Sequence, residues 1–224
     1  AGRLSDEAAP VRLAAARALA AVAPRGDADA VAAAAALLQD ASADVRCTAV
    51  LALGGVAAQG DPAAVALLCS RLEDRQEHVR LAAAEALGRV AGGADERVVD
   101  AVVARLEHEA WDVRRAATDA LRRVAGRGSR STIESVCLRL EHADGRVRQG
   151  AVEALSSLAE RGDRAAVASL GVRLGHPAWC TRRCALQALA LLAERGAPDG
   201  IALAAGRLED AHPLVRRAAV EALC

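Results

Sequence analysis

Three histidines, His108, His142 and His176, stand 34 residues apart. Stacked imidazoles suggest a metal, because a neutral ring nitrogen ligates zinc. Equivalent residues in stacked helical units, however, lie about 8–10 Å apart, whereas one metal holds its ligands at about 2 Å. The set His176, Cys180 and Cys184 is better spaced, since i and i+4 residues share a helix face and both residue types bind zinc. Against that reading, Pro177 sets His176 across a turn, and Cys184 fills a core slot taken elsewhere by Ala14, Ala82 and Ala116. Cys69 and Cys137 hold one slot two intervals apart, too far for a disulfide. No repeated position sets a nucleophile beside a base, no Gly-rich phosphate loop follows a strand, and no acid pair stands out. The expectation is small buried thiols, with no catalytic residues, no metal and no cofactor.

The interval itself is the dominant signal. Val-Arg pairs recur at Val11-Arg12, Val45-Arg46, Val79-Arg80, Val113-Arg114, Val147-Arg148 and Val215-Arg216, with Thr181-Arg182 as the altered copy. Ala-Leu pairs keep the same beat from Ala18-Leu19 to Ala222-Leu223. A fixed period of this length indicates a stacked array of one supersecondary unit.

Residues 61 to 94 show what the unit is. Asp61 caps a helix whose first position is Pro62, where a missing N–H costs nothing. Val65, Leu68 and Leu72 form its apolar stripe, which predicts a first helix over about 62–73. A second stripe runs through Val79, Ala82, Ala83, Ala86, Leu87 and Val90 and ends near Gly92-Gly93, where a left-handed residue terminates a helix. Asp27, Asp95, Ser129 and Asp163 repeat the cap, and Ala197 fails it.

The register predicts one solenoid over 1–224: a partial repeat at 1–26 with a helix near 7–23, complete repeats at 27–60, 61–94, 95–128, 129–162 and 163–196, and a shortened one at 197–224. Neither end carries a polar capping repeat, so the chain is expected to be a segment of a longer array or to have its ends covered.

Composition narrows the class. Hydrophobic residues make up 53% of the 224, mostly alanine, while aromatics are 1%, namely Trp111 and Trp179. Such a core requires helices at close approach. Basic and acidic residues both number 29, all the basic ones Arg, so no overall charge draws the chain to nucleic acid or an anionic membrane. The Arg and Glu interrupt every apolar run, which argues against membrane insertion. Six cysteines in helical apolar patterns suggest thiols in an intracellular, reducing compartment.

The pattern L-x-D-x-x-x-x-V-R-x-x-A-x-x-A-L, seen in Leu38, Asp40, Val45, Arg46, Ala49, Ala52 and Leu53, resembles HEAT repeats, especially the short phycobilisome-lyase-like form. The resemblance covers essentially the whole chain and implies an all-α, right-handed α-solenoid of the HEAT/armadillo kind. It also implies a ladder of Asp and the Arg six residues on: Asp6/Arg12, Asp40/Arg46, Asp74/Arg80 and Asp210/Arg216, with His108, His142 and His176 as substituted rungs able to accept from Arg. Some HEAT-like enzymes carry iron on His-Glu pairs, of which His108-Glu109 is the one present. Others act as bilin lyases or lyase partners, for which two aromatics are poor furniture.

In that family the second helices line the concave side. Arg115, Asp119 and Arg122 lie there, with Arg89, Arg123, Arg183 and Gln187 close by, and Trp111 and Trp179 open alternate second helices. These nine residues are the partner-binding candidates, weighed against a solvated face laced with acids. The arginines Arg71, Arg105, Arg139, Arg173 and Arg207 read as a solvated ridge on first helices. The function expected is a noncatalytic protein-interaction scaffold within a larger assembly. A lyase-like role and nucleic-acid binding through the Arg patch are the alternatives, the latter opposed by interrupting acids and scarce aromatics.

Overall fold

The computed structural model describes the backbone of residues 2–92 and 95–224, and the side chains of 4–92 and 95–224. Gly93, the second glycine of the expected stop, and Ala94 lie outside the described residues. Among the described residues there are thirteen α-helices and no strand. The shorter first helices are α2 (Ala28–Ala36), α4 (Pro62–Arg71), α6 (Glu96–Val103), α8 (Arg130–Leu138), α10 (Arg164–Leu174) and α12 (Pro198–Ala205). The second helices are α1 (Ala9–Val22), α3 (Ala43–Val56), α5 (Glu77–Ala91), α7 (Trp111–Val124), α9 (Gly145–Leu158), α11 (Trp179–Leu192) and α13 (Pro213–Leu223). The protein is an α-solenoid.

Local chemistry sets the helix ends. The Asp61 carboxylate accepts from the Ala63 and Ala64 N–H groups at 2.9 and 3.3 Å, and Asp27, Asp95 and Asp163 cap in the same way. Ser129 departs from expectation: it occupies the cap position, but its hydroxyl accepts from the Thr132 hydroxyl at 3.0 Å instead of from an N–H. Ala197 supplies no side-chain cap. Helix α5 ends on Gly92 in the left-handed region, φ 60°.

The chain divides into two compact units, residues 1–105 with 119–125 and residues 106–118 with 126–224. In the first unit α3 packs on both α1 and α5, and α4 packs on α2 and α6. In the second α11 packs on α9 and α13, and α10 on α8 and α12. Leu53, Leu68, Leu72 and Leu87 are fully buried in the first unit, and Leu140, Leu155 and Leu170 in the second. Each contributes about 1.5–3 kcal/mol on burial. The alanine-rich core brings helices close: a Cβ on Gly54 of α3 would lie 2.7 Å from that of Ala86 in α5.

Polar links cross each junction between repeats. Glycines with positive φ donate their N–H to the last turn of the next second helix: Gly60 to Val90 O at 2.8 Å in the first unit, Gly162 to Leu192 O at 2.7 Å in the second. The arginine ladder is present but runs differently from the expected pairs. Arg12 Nε and Nη2 donate to Asp40 at 2.6 and 2.9 Å, Arg46 to Asp74 at 2.8 and 2.9 Å, and Arg182 to Asp210 at 2.8 Å each. The carboxylate partner thus stands 28 residues ahead, in the next repeat. Toward the residue six back, Asp6, Asp40 or His176, each arginine instead donates Nη1 to backbone carbonyls, as Arg46 does to Asp40 O and Ala41 O. The fork-to-fork geometry is the strong form of this pairing. The hydrogen bond from Arg12 holds Asp40 below the usual carboxylate range, and Arg182 does the same for Asp210. Burial pushes Asp74 up, but the bonds from Arg46 and the Gln76 N–H outweigh it.

At the histidine positions the side chains do not accept from arginine. His108, His142 and His176 use Nδ1 to accept the N–H two residues on, at 3.0, 3.0 and 3.1 Å, as Asp40 does from Ser42. Arg114 and Arg148 keep their carbonyl bonds, to His108 and Glu109 and to His142 and Ala143, but their Nε atoms are buried without a partner.

Three of the five first-helix arginines, Arg105, Arg139 and Arg173, form a second ladder with glutamates instead of a solvated ridge. Arg173 is only 5% exposed and pairs with Glu134 at 2.7 Å and Glu141 at 3.1 Å. Arg139 Nε lies 3.1 Å from Glu107, and Arg105 Nε lies 3.2 Å from Glu73. Neither of these two N–H groups points along a hydrogen bond, so both are ion pairs by proximity alone. Burial opposes the charge on Arg173, and the Glu134 hydrogen bond and charge overcome it, leaving its basicity raised. The Glu partners stand 32 residues back, and Glu134 39 back, separations that a stacked face brings together and a linear reading keeps apart.

Candidate interaction surface

Two aromatic–cation pairs rise from the starts of second helices in the second unit. The Arg115 guanidinium carbon sits 5.4 Å from the Trp111 ring centroid, and that of Arg183 sits 5.5 Å from Trp179. The i, i+4 spacing on one helix face produces this contact, and the indole quadrupole favours it. Each ring also reaches the next repeat. Trp111 Nε1 donates to Glu153 at 3.3 Å, while Trp179 stacks on His212 with centroids 4.0 Å apart and planes 1° from parallel. Trp111 remains 49% and Trp179 37% exposed, so each is held in place and still offers apolar surface. One turn beyond Arg183, the Gln187 Oε1 is buried without a hydrogen-bond partner, as is Arg183 Nε.

The other candidates belong to the first unit. Arg89 pairs with Glu85 at 2.6 Å and Arg122 with Asp119 at 3.6 Å, both along their own helices. Arg123 is exposed, and its Cβ lies 3.0 Å from where a Cβ on Gly88 would be. A cleft of about 650 Å³ includes Arg89 with Arg17, Asp44 and Cys47. The nine residues therefore separate into Arg89, Asp119, Arg122 and Arg123 in one unit and Trp111, Arg115, Trp179, Arg183 and Gln187 in the other. Glu153, which the sequence places among the acids of the solvated face, and His212, which sequence reasoning missed, are the neighbours that hold the two rings. The signal was available: His212 follows Trp179 by 33 residues, one short of the interval.

The residues considered for metal chemistry do not gather. Among the described residues no three His, Cys, Asp or Glu side chains form a group able to hold a metal ion. His176 accepts on Nδ1 and presents Nε2 to Glu141 at 3.9 Å, and Cys184 is buried. Burial pushes the Cys69 and Cys137 thiols up to about 11 and about 12, which keeps them protonated and unreactive at neutral pH. No helix among the described residues is long and apolar enough to cross a membrane.

The HEAT-repeat family model matches residues 2–88, 31–122, 99–190 and 133–224. The chain belongs to the HEAT-repeat family. No curated protein matches it in sequence. Among solved structures, this HEAT-repeat chain is similar to the complex of CpcE and CpcF of phycocyanin lyase from Nostoc sp. PCC7120, at 23% identity over 100% of this chain and 92% of that one, TM-score 0.45. It is similar to human deoxyhypusine hydroxylase in complex with glycerol at 23% identity, over 98% of this chain and 80% of that one, TM-score 0.42. Computationally designed armadillo repeat proteins for modular peptide recognition match at 19% identity, over 99% and 96%, TM-score 0.41.

Proposed function

We propose that this HEAT-repeat chain is a noncatalytic scaffold that binds another protein within a larger assembly, with the 34-residue register as its module. The observation that carries the reading is the pair of clamped, half-exposed tryptophans with their arginines, Trp111/Arg115 and Trp179/Arg183. Trp and Arg dominate binding hot spots, and rings already fixed by Glu153 and His212 lose little freedom on docking. The even balance of 29 basic and 29 acidic residues favours a protein partner over nucleic acid.

The test uses the protein as bait in its native extract, with mass spectrometry before and after nuclease, alongside the double variant Trp111→Ala/Trp179→Ala. A fixed, nuclease-resistant set of proteins should be retained by the wild type and reduced about tenfold or more by the variant, with helicity unchanged. Equal recovery by the variant, loss of partners with nuclease, or a bound pigment would each sink the proposal.

A further inference from the structure

The second-helix arginines of the second unit differ in what holds them. Arg182 donates to Asp210 at 2.8 Å, Arg217 to Glu221 at 3.0 Å, and Arg148 to the carbonyls of His142 and Ala143. Among the described residues, Arg115 and Arg183 have neither a carboxylate nor a carbonyl partner; each is held by the indole four residues before it. Helix α11 contains no acid, and Gln187 stands where α13 has Glu221, the partner of Arg217. A π face attracts the charge, but it leaves the outward N–H donors of a planar guanidinium without an acceptor. Arg115 is exposed and Arg183 half-buried, so both remain open to a ligand.

None of the acids on these second helices is free to supply that acceptor. Glu153 accepts from Trp111 Nε1 at 3.3 Å, Asp119 lies 3.6 Å from Arg122, Glu221 holds Arg217, and Asp112 is engaged as well. The repeat between the two pairs is neutral where they are charged. Gly145 takes the slot of the tryptophans and Gln149 that of the arginines, and both are exposed. The face therefore presents two separate aromatic–cation pairs with an uncharged, small-residue step between them.

The geometry points to an extended acidic segment of a protein partner as the occupant of this face, with one carboxylate on Arg115, a second on Arg183, and an apolar side chain against each indole. The inference rests on the partner-binding reading and names the chemistry of that partner. Two helix-packing steps separate the pairs, about 16–20 Å. An extended chain covers that span in about five or six residues, at about 3.3 Å each. Nucleic acid fits less well, because a strand carries a charge every few ångströms, and the neutral step with Glu153 would leave those between the pairs unmatched.

Trp111 and Trp179 are the two tryptophans of the chain, so indole emission reports on both pairs. The probe is a blocked octapeptide, Leu-Glu-Gly-Ser-Gly-Ser-Leu-Glu, whose glutamates stand six residues apart. It should change the emission saturably, and the version with glutamine for glutamate should bind about tenfold or more weakly. Arg115→Gln/Arg183→Gln, with helicity unchanged, should lose affinity by a similar factor, and Arg115→Gln alone, at an exposed position, several-fold. No saturable change in the wild type, equal binding of the glutamine peptide, undiminished binding by the arginine variants, or tighter binding of an oligothymidylate would overturn the acidic segment. As bait in native extract, the double arginine variant should recover about tenfold less partner than the wild type. Partners kept by that bait but lost from Trp111→Ala/Trp179→Ala would overturn the acidic occupant and leave the scaffold reading standing.

Discussion

Two kinds of junction carry the same arginine. Where Arg12, Arg46 and Arg182 meet Asp40, Asp74 and Asp210, all three nitrogens of the guanidinium are used: Nη1 grips the turn behind it and Nε with Nη2 grips the repeat ahead. Where Arg114 and Arg148 meet the repeats that begin their turns with His142 and His176, only the backward grip survives. The histidine reproduces one role of aspartate, accepting the N–H two residues on, but it has no second acceptor to offer. The turn and the rung are thus separable functions of one residue.

The comparison breaks down first if the two kinds of junction do not share a core. Leu53→Ala, beside an aspartate rung, and Leu155→Ala, beside a histidine one, should each cost about 2–5 kcal/mol by denaturant unfolding. A large difference between them would assign to packing what is attributed here to the rungs. Next in size, Asp74→Ala should cost about 2–3 kcal/mol, because it leaves Arg46 partly buried without its acid. His142→Ala should cost under about 1 kcal/mol, since it removes a single turn hydrogen bond.

The sharper experiment converts one kind into the other. His142→Asp should stabilise the protein by about 1–2 kcal/mol at neutral pH by giving Arg114 Nε an acceptor; a loss of stability would show that the imidazole packs better than a carboxylate bonds. The gain should also be acid-labile. In Asp40 and Asp210 the folded carboxylate is held below its ordinary range, so its stabilisation is present above the unfolded value and lost as pH falls through the folded one. The advantage of His142→Asp over wild type should therefore persist at neutral pH and vanish in acid below the normal carboxylate range, as followed by thermal unfolding across pH.

Much of the fold was legible because it is written locally. Helix spans, the Asp caps and the buried Val, Ala and Leu positions follow from spacing within one repeat, and Gly92 ends α5 for a reason visible in its residue type. What was not legible depends on stacking. Arg46 reads as paired with Asp40, six residues back, yet bonds Asp74 because its fork points out of its own repeat. Arg173 reads as solvated because its acids lie 32 and 39 residues back, and only stacked first helices bring them to it. At the candidate surface, the Trp111/Arg115 contact follows from i, i+4 spacing, while the Trp179–His212 stack required the neighbouring repeat. The Ser129 cap failed for a smaller reason: another hydroxyl, Thr132, was within reach.

The rungs also have a mechanical meaning. Each arginine fork spans a single junction, so a chain drawn out from its ends meets these links one after another and not in parallel. The junctions of Arg114 and Arg148, which lack the forward grip, are the fuses of such a chain. In an optical trap they should give way at lower force than junctions closed by aspartate, and His142→Asp should move the first rupture elsewhere.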